Sequence, residues 1–312
     1  MKVLVTGATG FVGFPVCKAL SRAGHIVYGA ARTTEKAKEL AAEEIIPVIG
    51  DSSDTSAFIA LVPTLDVVID VFAGADGTHG PLFRTVRASA QATRPPGAPK
   101  LAYIITGGTW VHGDDRKEVV SDTSPLANPI ELTAWRVSVE REVLEDTVLK
   151  GIAVRPSLVY GRSGSLFSDL FRRASEAALQ PGGRFVWPGS VGGRIATVHT
   201  DDLADLYVRV AERAQILGGL VFDGANQSTE SVDDLLAKLV EVTGAHGFDY
   251  KEPSNAFERA IATTTLLRPY TGRALVDWVP RKASVVDGLT TYYAAWQANL
   301  GQGPKFENRD AK

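Results

Sequence analysis

The segment that decides the fold is Lys2–Gly13, which reads KVLVTGATGFVG. Residues 2–6 are mostly β-branched and apolar and predict a buried strand, and the apolar spacing of residues 14–22 predicts a helix. Between these elements a glycine recurs every third residue. The first permits a tight turn, the second lets the backbone approach a pyrophosphate, and the third lets the helix pack closely on the strand. A strand, glycine turn and helix in this order predict a dinucleotide-binding unit, the alternative being a glycine-rich turn without a ligand.

The residues after the second predicted strand, 25–31, favour one dinucleotide over the other. An Asp or Glu there would accept a hydrogen bond from the ribose 2′-hydroxyl of NAD, but the sequence continues Arg32-Thr33-Thr34 without an acid. The Arg32 guanidinium suits a 2′-phosphate, so NADP(H) is predicted and NAD(H) is less favoured, unless Arg32 is only a solvated surface residue. Asp51 would either meet the adenine or cap the next helix.

Strands and helices continue to alternate beyond the glycine turn. Further strands are predicted at 47–50, 66–72, 101–106 and 152–155, and further helices at 35–44, 56–61, 78–93 and 131–149. This order predicts an α/β fold, a Rossmann-type doubly wound parallel sheet with helices on both faces. Two stretches rich in proline or glycine, 93–100 and 182–193, are predicted to be loops, and the polar tail after Gly301 is predicted to fray.

Composition excludes several classes of partner. The 312 residues include 33 Lys and Arg against 36 Asp and Glu, a net charge of −3. No basic run follows a phosphate backbone and no apolar stretch approaches the ~18 residues that cross a bilayer, so neither nucleic acid nor a membrane is an expected partner. A single cysteine, Cys17, cannot form an internal disulfide, and the five histidines lack ligand spacing, so no metal is predicted. The expected location is the cytoplasm.

Later motifs, together with the glycine turn, resemble those of the extended or atypical short-chain dehydrogenases/reductases, the superfamily of NAD-dependent epimerases and dehydratases. These motifs are Gly50-Asp51, Arg155–Gly161 (RPSLVYG), Val198–Ala204 (VHTDDLA) and Val276–Pro280 (VDWVP). The resemblance covers nearly all of the chain. It implies a dinucleotide site formed by Gly7, Thr9, Gly10, Phe11, Val12, Gly13, Arg32, Asp51, Ala73, Arg136 and Tyr160.

The sequence departs from this family at the catalytic positions. Family members carry Tyr-x-x-x-Lys on the helix after the fifth strand, where this chain has Leu132 and Arg136. Leucine has no proton to give, and a guanidinium is a fixed cation that suits the nicotinamide ribose hydroxyls but is no acid. Gly108 stands at the family's serine position. Thr106 or Thr109 could polarise a carbonyl, or both could only satisfy backbone groups of a loop.

Three functions are compatible with a preserved cofactor half and an altered catalytic half. We favour an NADP(H)-dependent oxidoreductase that acts on a small, largely apolar carbonyl or unsaturated substrate, because the cofactor itself supplies the hydride. Its relocated acid would be His112, Tyr160, His199 or His79, each of which also has a structural interpretation. The alternatives are a non-redox isomerase, epimerase or dehydratase that retains the dinucleotide, and a non-catalytic NADP(H)-binding sensor.

The substrate is expected between the cofactor and the C-terminal segments. Phe185 and Trp187, among the glycines of residues 182–193, would form an apolar lid over it or close a small core. Trp110 and Trp135 adjoin the altered catalytic positions. If Trp135 or Leu132 faces the nicotinamide, the site is more apolar than in ordinary family members, and a nucleotide sugar would fit it poorly.

Arg194 resembles a substrate-side arginine of the family. Its guanidinium would meet an anionic substrate or pair with Asp201 or Asp202. The sequence alone does not choose between these partners.

Motif placement predicts two lobes. Residues 1–155, with about 195–225, form the dinucleotide-binding domain, and residues 156–194 and 226–312 form a smaller substrate-binding lobe. Family members often pair through two long helices, here about 78–93 and 131–149. A homodimer is therefore compatible with the sequence, as is a monomer with these helices solvated.

Overall fold

A computed structural model describes residues 1–50, 54–72, 79–163 and 165–300. Two of the predicted cofactor residues, Asp51 and Ala73, lie outside the described residues, as does the tail that begins at Gly301. Within the described part, no helix is long and apolar enough to cross a bilayer.

The described part of the chain contains fifteen strands and eleven α-helices. The strands are β1 Lys2–Thr6, β2 Ile26–Ala31, β3 Ile46–Ile49, β4 Val67–Asp70, β5 Ala102–Thr106, β6 Asp115–Val120, β7 Lys150–Pro156, β8 Leu158–Tyr160, β9 Arg184–Pro188, β10 Arg194–Ile195, β11 Thr197–His199, β12 Val221–Gly224, β13 Glu230–Ser231, β14 Gly247–Lys251 and β15 Thr265–Leu267. The helices are α1 Gly13–Arg22, α2 Thr34–Ala41, α3 Ser56–Ile59, α4 His79–Thr93, α5 Trp135–Leu144, α6 Phe167–Ala178, α7 Thr200–Glu212, α8 Val232–Thr243, α9 Ala256–Ile261, α10 Thr271–Val276 and α11 Leu289–Ala298.

The centre of the molecule is a seven-stranded sheet in the order β12-β7-β5-β4-β1-β2-β3. Every pairing in it is parallel, and β1 lies between β2 and β4, with Val3 opposite both Val27 and Val67. Parallel neighbours need a crossover, and helices supply it on both faces. The predicted Rossmann-type α/β fold is confirmed.

Side chains of the sheet alternate between two apolar cores. Val3 and Val5 of β1 face the core that contains helices α1 and α7, whereas Leu4 faces the core that contains α4 and α5. This alternation follows from the period of two in a strand. Because both faces are covered, the strands read as continuous apolar runs, which is why the sequence predicted them well.

A third apolar core is formed by side chains between Leu158 and Trp296, and we refer to the part of the chain around this core as the smaller lobe. It corrects one prediction. Residues 182–193 are not simply a loop, because Arg184–Pro188 forms strand β9, which pairs in parallel with β14. Phe185 and Trp187 are only 3% and 2% exposed and belong to this core. The strand escaped prediction because it is short, flanked by glycines, and paired with a segment some sixty residues later in the chain.

The predicted long helix 131–149 is also shorter in the structure. A 3₁₀ turn at Glu131–Thr133 precedes α5, which ends at Leu144. The Asp146 carboxylate accepts hydrogen bonds from the backbone N–H groups of Val148 and Leu149, at 2.8 and 2.7 Å. These bonds favour a turn over a further helical turn at this place.

Candidate active site

The glycine turn is built as the sequence predicts. Gly7 has φ +63°, and a Cβ there would lie 2.7 Å from the carbonyl oxygen of Val71. A Cβ on Gly13 would lie 2.2 Å from the carbonyl oxygen of Gly7, so a side chain would push α1 off the strand. A Cβ on Gly10 would meet only the Gly7 oxygen, at 3.1 Å. The turn thus needs its first and third glycines for packing and leaves the second open to a ligand.

Helix α1 presents an unblocked N-terminus beside this turn. Its N-cap residue Val12 makes no side-chain capping bond, and the first turn of the helix carries no acidic residue. The half-buried residues Thr9, Phe11 and Val12 lie on the same turn. Free N–H groups and the helix dipole favour an anion here, so these residues fit the pyrophosphate of a dinucleotide.

Arg32 follows β2 and is exposed. It forms no hydrogen bond or ion pair with any residue that the structure describes. The neighbouring Thr33 instead caps α2 by accepting a hydrogen bond from the Lys36 N–H. The Arg32 guanidinium is therefore available to an incoming phosphate.

Arg136 lies at the carboxyl end of β5, where open parallel sheets bind ligands. Its Nη1 donates to the carbonyl oxygens of Thr106 and Gly107, at 3.1 and 3.4 Å. The guanidinium carbon lies 4.8 Å from the ring centroid of Trp135, which is half-buried. Burial lowers the pKa of Arg136 from its ordinary value, but a guanidinium remains a cation. Its Nε and Nη2 donors bond no described residue and can serve a ligand.

The hydroxyls of the two candidate threonines, Thr106 and Thr109, differ in whether they are free to contact a substrate. The Thr106 hydroxyl is 2.7 Å from the hydroxyl of Tyr207 on α7 and is engaged there. Burial raises the pKa of Tyr207, so its phenol stays protonated. Thr109 begins a 3₁₀ turn after Gly108, and its hydroxyl bonds no residue in the described part of the chain. Thr109 is therefore the better placed hydroxyl to contact a substrate.

A buried polar cluster behind this edge was not predicted from the sequence. Asp70, at the end of β4, accepts hydrogen bonds from the hydroxyls of Thr6 and Tyr103, both at 2.9 Å. Its third side-chain partner, at 2.7 Å, is Nδ1 of His79, whose ring is stacked on Trp135 with centroids 6.1 Å apart. Of these residues the sequence analysis named only His79, as a candidate acid. His79 is 1% exposed and engaged with Asp70, which argues against direct contact with a substrate. The cluster holds the His79 ring on which Trp135 is stacked.

His112 was a candidate acid, but its side chain is fully buried. Its Nε2 is 2.7 Å from the Asp223 carboxylate, and Arg155 lies between this pair and Glu140, to which its Nε donates at 2.8 Å. Desolvation raises the pKa of Glu140 against the opposing effect of Arg155. This chain of charges joins β7, β12 and α5. The burial of His112 argues against direct contact with a substrate.

Tyr160 and His199 lie in the smaller lobe rather than at the cofactor edge. Tyr160 is 1% exposed and its hydroxyl donates to the Ala283 carbonyl oxygen at 2.7 Å. His199 packs edge-on against Tyr160, and burial lowers the pKa of His199 to about 4. These placements argue against the predicted roles of Tyr160 in catalysis and cofactor binding.

The predicted substrate residues separate into two groups. Trp110 and Trp135 are half-buried near the end of β5 and remain candidates. Trp187 lies in the core of the smaller lobe, so the structure supports the packing alternative over the lid. Arg194 donates to the hydroxyl and carbonyl oxygens of Thr229, and not to either predicted aspartate.

Comparisons with known proteins agree with this fold. Residues 3–82 match the sequence model of the NAD dependent epimerase/dehydratase family. A 2-alkyl-3-oxoalkanoate reductase from Stenotrophomonas maltophilia is 28% identical over 215 residues, which cover 65% of this chain and 63% of the reductase. The chain thus aligns with less than two thirds of that relative. An uncharacterized protein from Schizosaccharomyces pombe is 25% identical over 230 residues, which cover 68% of this chain and 71% of that protein.

Solved structures resemble the whole chain. A dTDP-glucose 4,6-dehydratase from Bacillus anthracis in complex with NAD has a TM-score of 0.77 at 15% identity, covering 96% of this chain and 98% of that chain. A UDP-glucuronic acid 4-epimerase from Bacillus cereus in complex with UDP-glucuronic acid and NAD has a TM-score of 0.73 at 17% identity, covering 96% and 99%. At such identities the likeness is one of fold. The family match and the reductase support an enzymatic activity without specifying the reaction.

Proposed function

We propose that the protein is an NADP(H)-dependent reductase of small, largely apolar carbonyl compounds. The proposal starts from the match of residues 3–82 to the sequence model of the NAD dependent epimerase/dehydratase family. The observation that carries the proposal is an open glycine turn together with Arg32, at the end of the neighbouring strand, whose guanidinium has no partner among the described residues. The first suits a pyrophosphate and the second a 2′-phosphate.

This chain would hold the cofactor at three places. The N-terminus of α1 receives the pyrophosphate, Arg32 the 2′-phosphate, and the free donors of Arg136 the hydroxyls of the nicotinamide ribose. Bound NADPH would supply a hydride to the carbonyl carbon of the substrate. The bonds from Arg136 to the carbonyl oxygens of Thr106 and Gly107, at the carboxyl end of β5, fix its guanidinium. Orienting this guanidinium therefore costs little entropy when the ligand binds.

Thr109 is proposed as the group that polarises the substrate. Its hydroxyl has no partner among the described residues, so it can donate a hydrogen bond to the carbonyl oxygen as negative charge develops there. Thr109 cannot be the final proton source at neutral pH, so the oxygen takes its proton from solvent. The fixed charge of Arg136 stabilises the same oxygen electrostatically.

The shape of the site favours an apolar substrate. Trp110 and Trp135 flank the end of β5, and Leu132, half-buried, replaces a polar residue of the family. The reductase relative is named for 2-alkyl-3-oxoalkanoates, which are 3-oxo acids that combine a ketone with apolar chains. Such 3-oxo acids are the first compounds in a panel of ketones to be tested as substrates. A nucleotide sugar would bury hydroxyls against these apolar groups without partners, at a cost in affinity.

Transfer of label tests the redox reaction. With a turned-over ketone and NADPH deuterated at C4, the alcohol product should carry one deuterium, and one NADPH should be consumed per product. Turnover with neither label transfer nor cofactor consumption would contradict the proposal and favour epimerase or dehydratase chemistry. Absence of turnover across the panel, with NADPH still bound, would favour the sensor.

Two variants of one residue test the role of Thr109. Thr109→Val keeps the shape of the side chain and should lower kcat roughly 100-fold with little change in KM, as expected when a donor to a developing oxyanion is removed. Thr109→Ser retains the hydroxyl and should stay within about a few-fold of the parent enzyme. Equal kcat values for the two variants would remove Thr109 from the mechanism.

A further inference from the structure

A cavity of about 330 Å³ shares no lining residue with the glycine turn or the end of β5. It lies close to the glycine turn, because Thr200, between its lining residues His199 and Asp201, donates to the Phe11 carbonyl oxygen at 3.4 Å. We refer to it as the α7 cavity, because the first turn of α7 forms one wall. Its remaining walls come from Arg162 after β8, from the segment 282–288 and from helix α11. This volume is near the lower limit of pockets that bind small molecules.

Two cations face the α7 cavity and share one carboxylate. The Arg162 guanidinium bonds Asp201 Oδ1 at 2.7 and 2.9 Å, and Lys282 Nζ lies 3.2 Å from Asp201 Oδ2. The charged lining residues therefore carry one positive charge in excess. Both cations keep unused N–H donors, since Arg162 has five and Lys282 has three.

The backbone at Arg162 is held in an unusual conformation. Its φ is +55°, a left-handed conformation that side chains other than glycine, asparagine and aspartate seldom adopt. Such conformations are often found at ligand sites. At Arg162 the conformation brings the guanidinium to the wall of the cavity beside Lys282.

His199 adds a neutral donor to the same cavity. Its Nδ1 accepts a hydrogen bond from the Asp201 N–H at 3.1 Å, so the neutral ring must carry its proton on Nε2. That N–H has no hydrogen-bond partner in the described part of the chain. Burial lowers the pKa of His199 to about 4, which keeps the ring neutral near pH 7. The cavity thus contains an excess of donors over acceptors.

The rest of the lining is apolar or small, namely Ala283, Gly288, Thr291, Tyr292 and Ala295. We propose that the α7 cavity binds a small organic oxyanion, a carboxylate or phosphate on a short apolar body. The oxyanion would be held by Arg162 and Lys282, and the body would lie against Ala283 and Ala295. The site shares no lining residue with the proposed cofactor and substrate sites and does not depend on the proposed reaction.

Thermal unfolding of the full chain tests this site with two probes, butyrate and inorganic phosphate, each compared with sodium chloride at equal ionic strength. A saturating probe should raise Tm by about 2–4 °C. The double variant Arg162→Asn/Lys282→Met should abolish the rise. Asparagine tolerates the left-handed backbone and methionine keeps the apolar stem, so both changes preserve the fold. The control Arg213→Met removes a cation that pairs with Asp277 at the other end of α7, and should leave the rise intact.

The two probes separate the sources of the oxyanion. A rise with butyrate that the double variant abolishes assigns a carboxylate on an apolar body, and the same pattern with phosphate alone assigns a phosphate. Phosphate also suits the glycine turn. Only the part of the phosphate-induced rise in Tm that the double variant removes is therefore assigned to the α7 cavity. If neither probe exceeds sodium chloride, or if the double variant keeps the full rise, the α7 cavity is not an oxyanion site.

Discussion

Arg32 is the residue on which the choice of cofactor depends. Its guanidinium is exposed and unpartnered among the described residues, so it is not already committed to a carboxylate of the protein. A charge-assisted bond to a 2′-phosphate contributes about 1.5–3 kcal/mol. We therefore expect Arg32→Ala to weaken NADPH binding by roughly 10- to 100-fold and to leave NADH binding unchanged, as measured by fluorescence titration.

Arg22 supplies the matched control for this titration. It too is an exposed arginine without a hydrogen bond or ion pair to the described residues, but it lies at the last turn of α1, the opposite end from the glycine turn. Arg22→Ala should leave both affinities unchanged. The 2′-phosphate assignment is wrong if Arg32→Ala weakens the binding of NADPH and of NADH equally, or if it weakens the binding of neither cofactor.

The sequence predicted residues well where their role depends on local chain geometry. The first and third glycines of the turn, Gly7 and Gly13, belong to this class. It predicted His112 and Tyr160 poorly, because their partners are remote: Asp223 lies 111 positions from His112, and Ala283 lies 123 positions from Tyr160. A histidine or tyrosine near a strand end has the same local signature whether it faces a ligand or a buried carboxylate.

Strand β9 was predicted as a loop, and its Trp187 was predicted to form either a lid or a core. Since Trp187 lies in the core of the smaller lobe while Trp135 is half-buried beside Arg136, substitutions at the two should differ in kind. Trp187→Ala should lower the free energy of unfolding by about 3–5 kcal/mol, and Trp135→Ala by clearly less. Denaturant unfolding measures both, and NADPH-dependent turnover should suffer more from Trp135→Ala at temperatures where both variants are folded. A lid role for Trp187 predicts the reverse order of stability.

Helix α9 begins with a capping arrangement that predicts a pH dependence. Asn255 Oδ1 accepts from the Glu258 N–H at 2.8 Å, and the Glu258 carboxylate accepts from the N–H and hydroxyl of Ser254. The bond from Lys251, and after it the two bonds from Ser254, lower the pKa of Glu258 to about 2 from an ordinary value of 4.5. A lowered native pKa stabilises the fold above the unfolded pKa, and this contribution is lost as the pH falls from about 4.5 toward 2.

Glu258→Gln tests this contribution. At pH 6 it should lower the free energy of unfolding by about 0.5–1 kcal/mol, the usual size of a capping contribution at an exposed site. At pH 3 the difference between parent and variant should be smaller, because protonation costs the parent protein the same bonds. The control is Glu241→Gln, which removes the exposed ion pair between Glu241 and Lys238 on α8. It should change the free energy of unfolding little at either pH. A difference that grows toward pH 3 would show that the sign is wrong.

On the scale of the whole molecule, the chain crosses between its lobes more than once. Strand β12 and helix α7 come from the second half of the sequence, yet β12 is an edge strand of the central sheet and α7 shares an apolar core with α1. The family motifs assign residues of about 195–225 to the dinucleotide-binding domain, and that division stays a prediction. They could not predict how the smaller lobe closes, since its strands are short and pair only in twos.

The return of α7 predicts that the N-terminal part will not fold by itself. A fragment of residues 1–163 contains six of the seven sheet strands but lacks β12 and α7, so the α1 side of its sheet loses the cover that Leu203, Leu206 and Tyr207 provide. Exposed core of this kind favours a molten state. We expect the fragment to show helical circular dichroism, to bind an apolar dye and to melt without a cooperative transition, whereas the full chain melts cooperatively. A cooperative melt of the fragment with dispersed amide resonances would show that the central sheet is stable without its C-terminal cover, and that the two lobes are independent folding units.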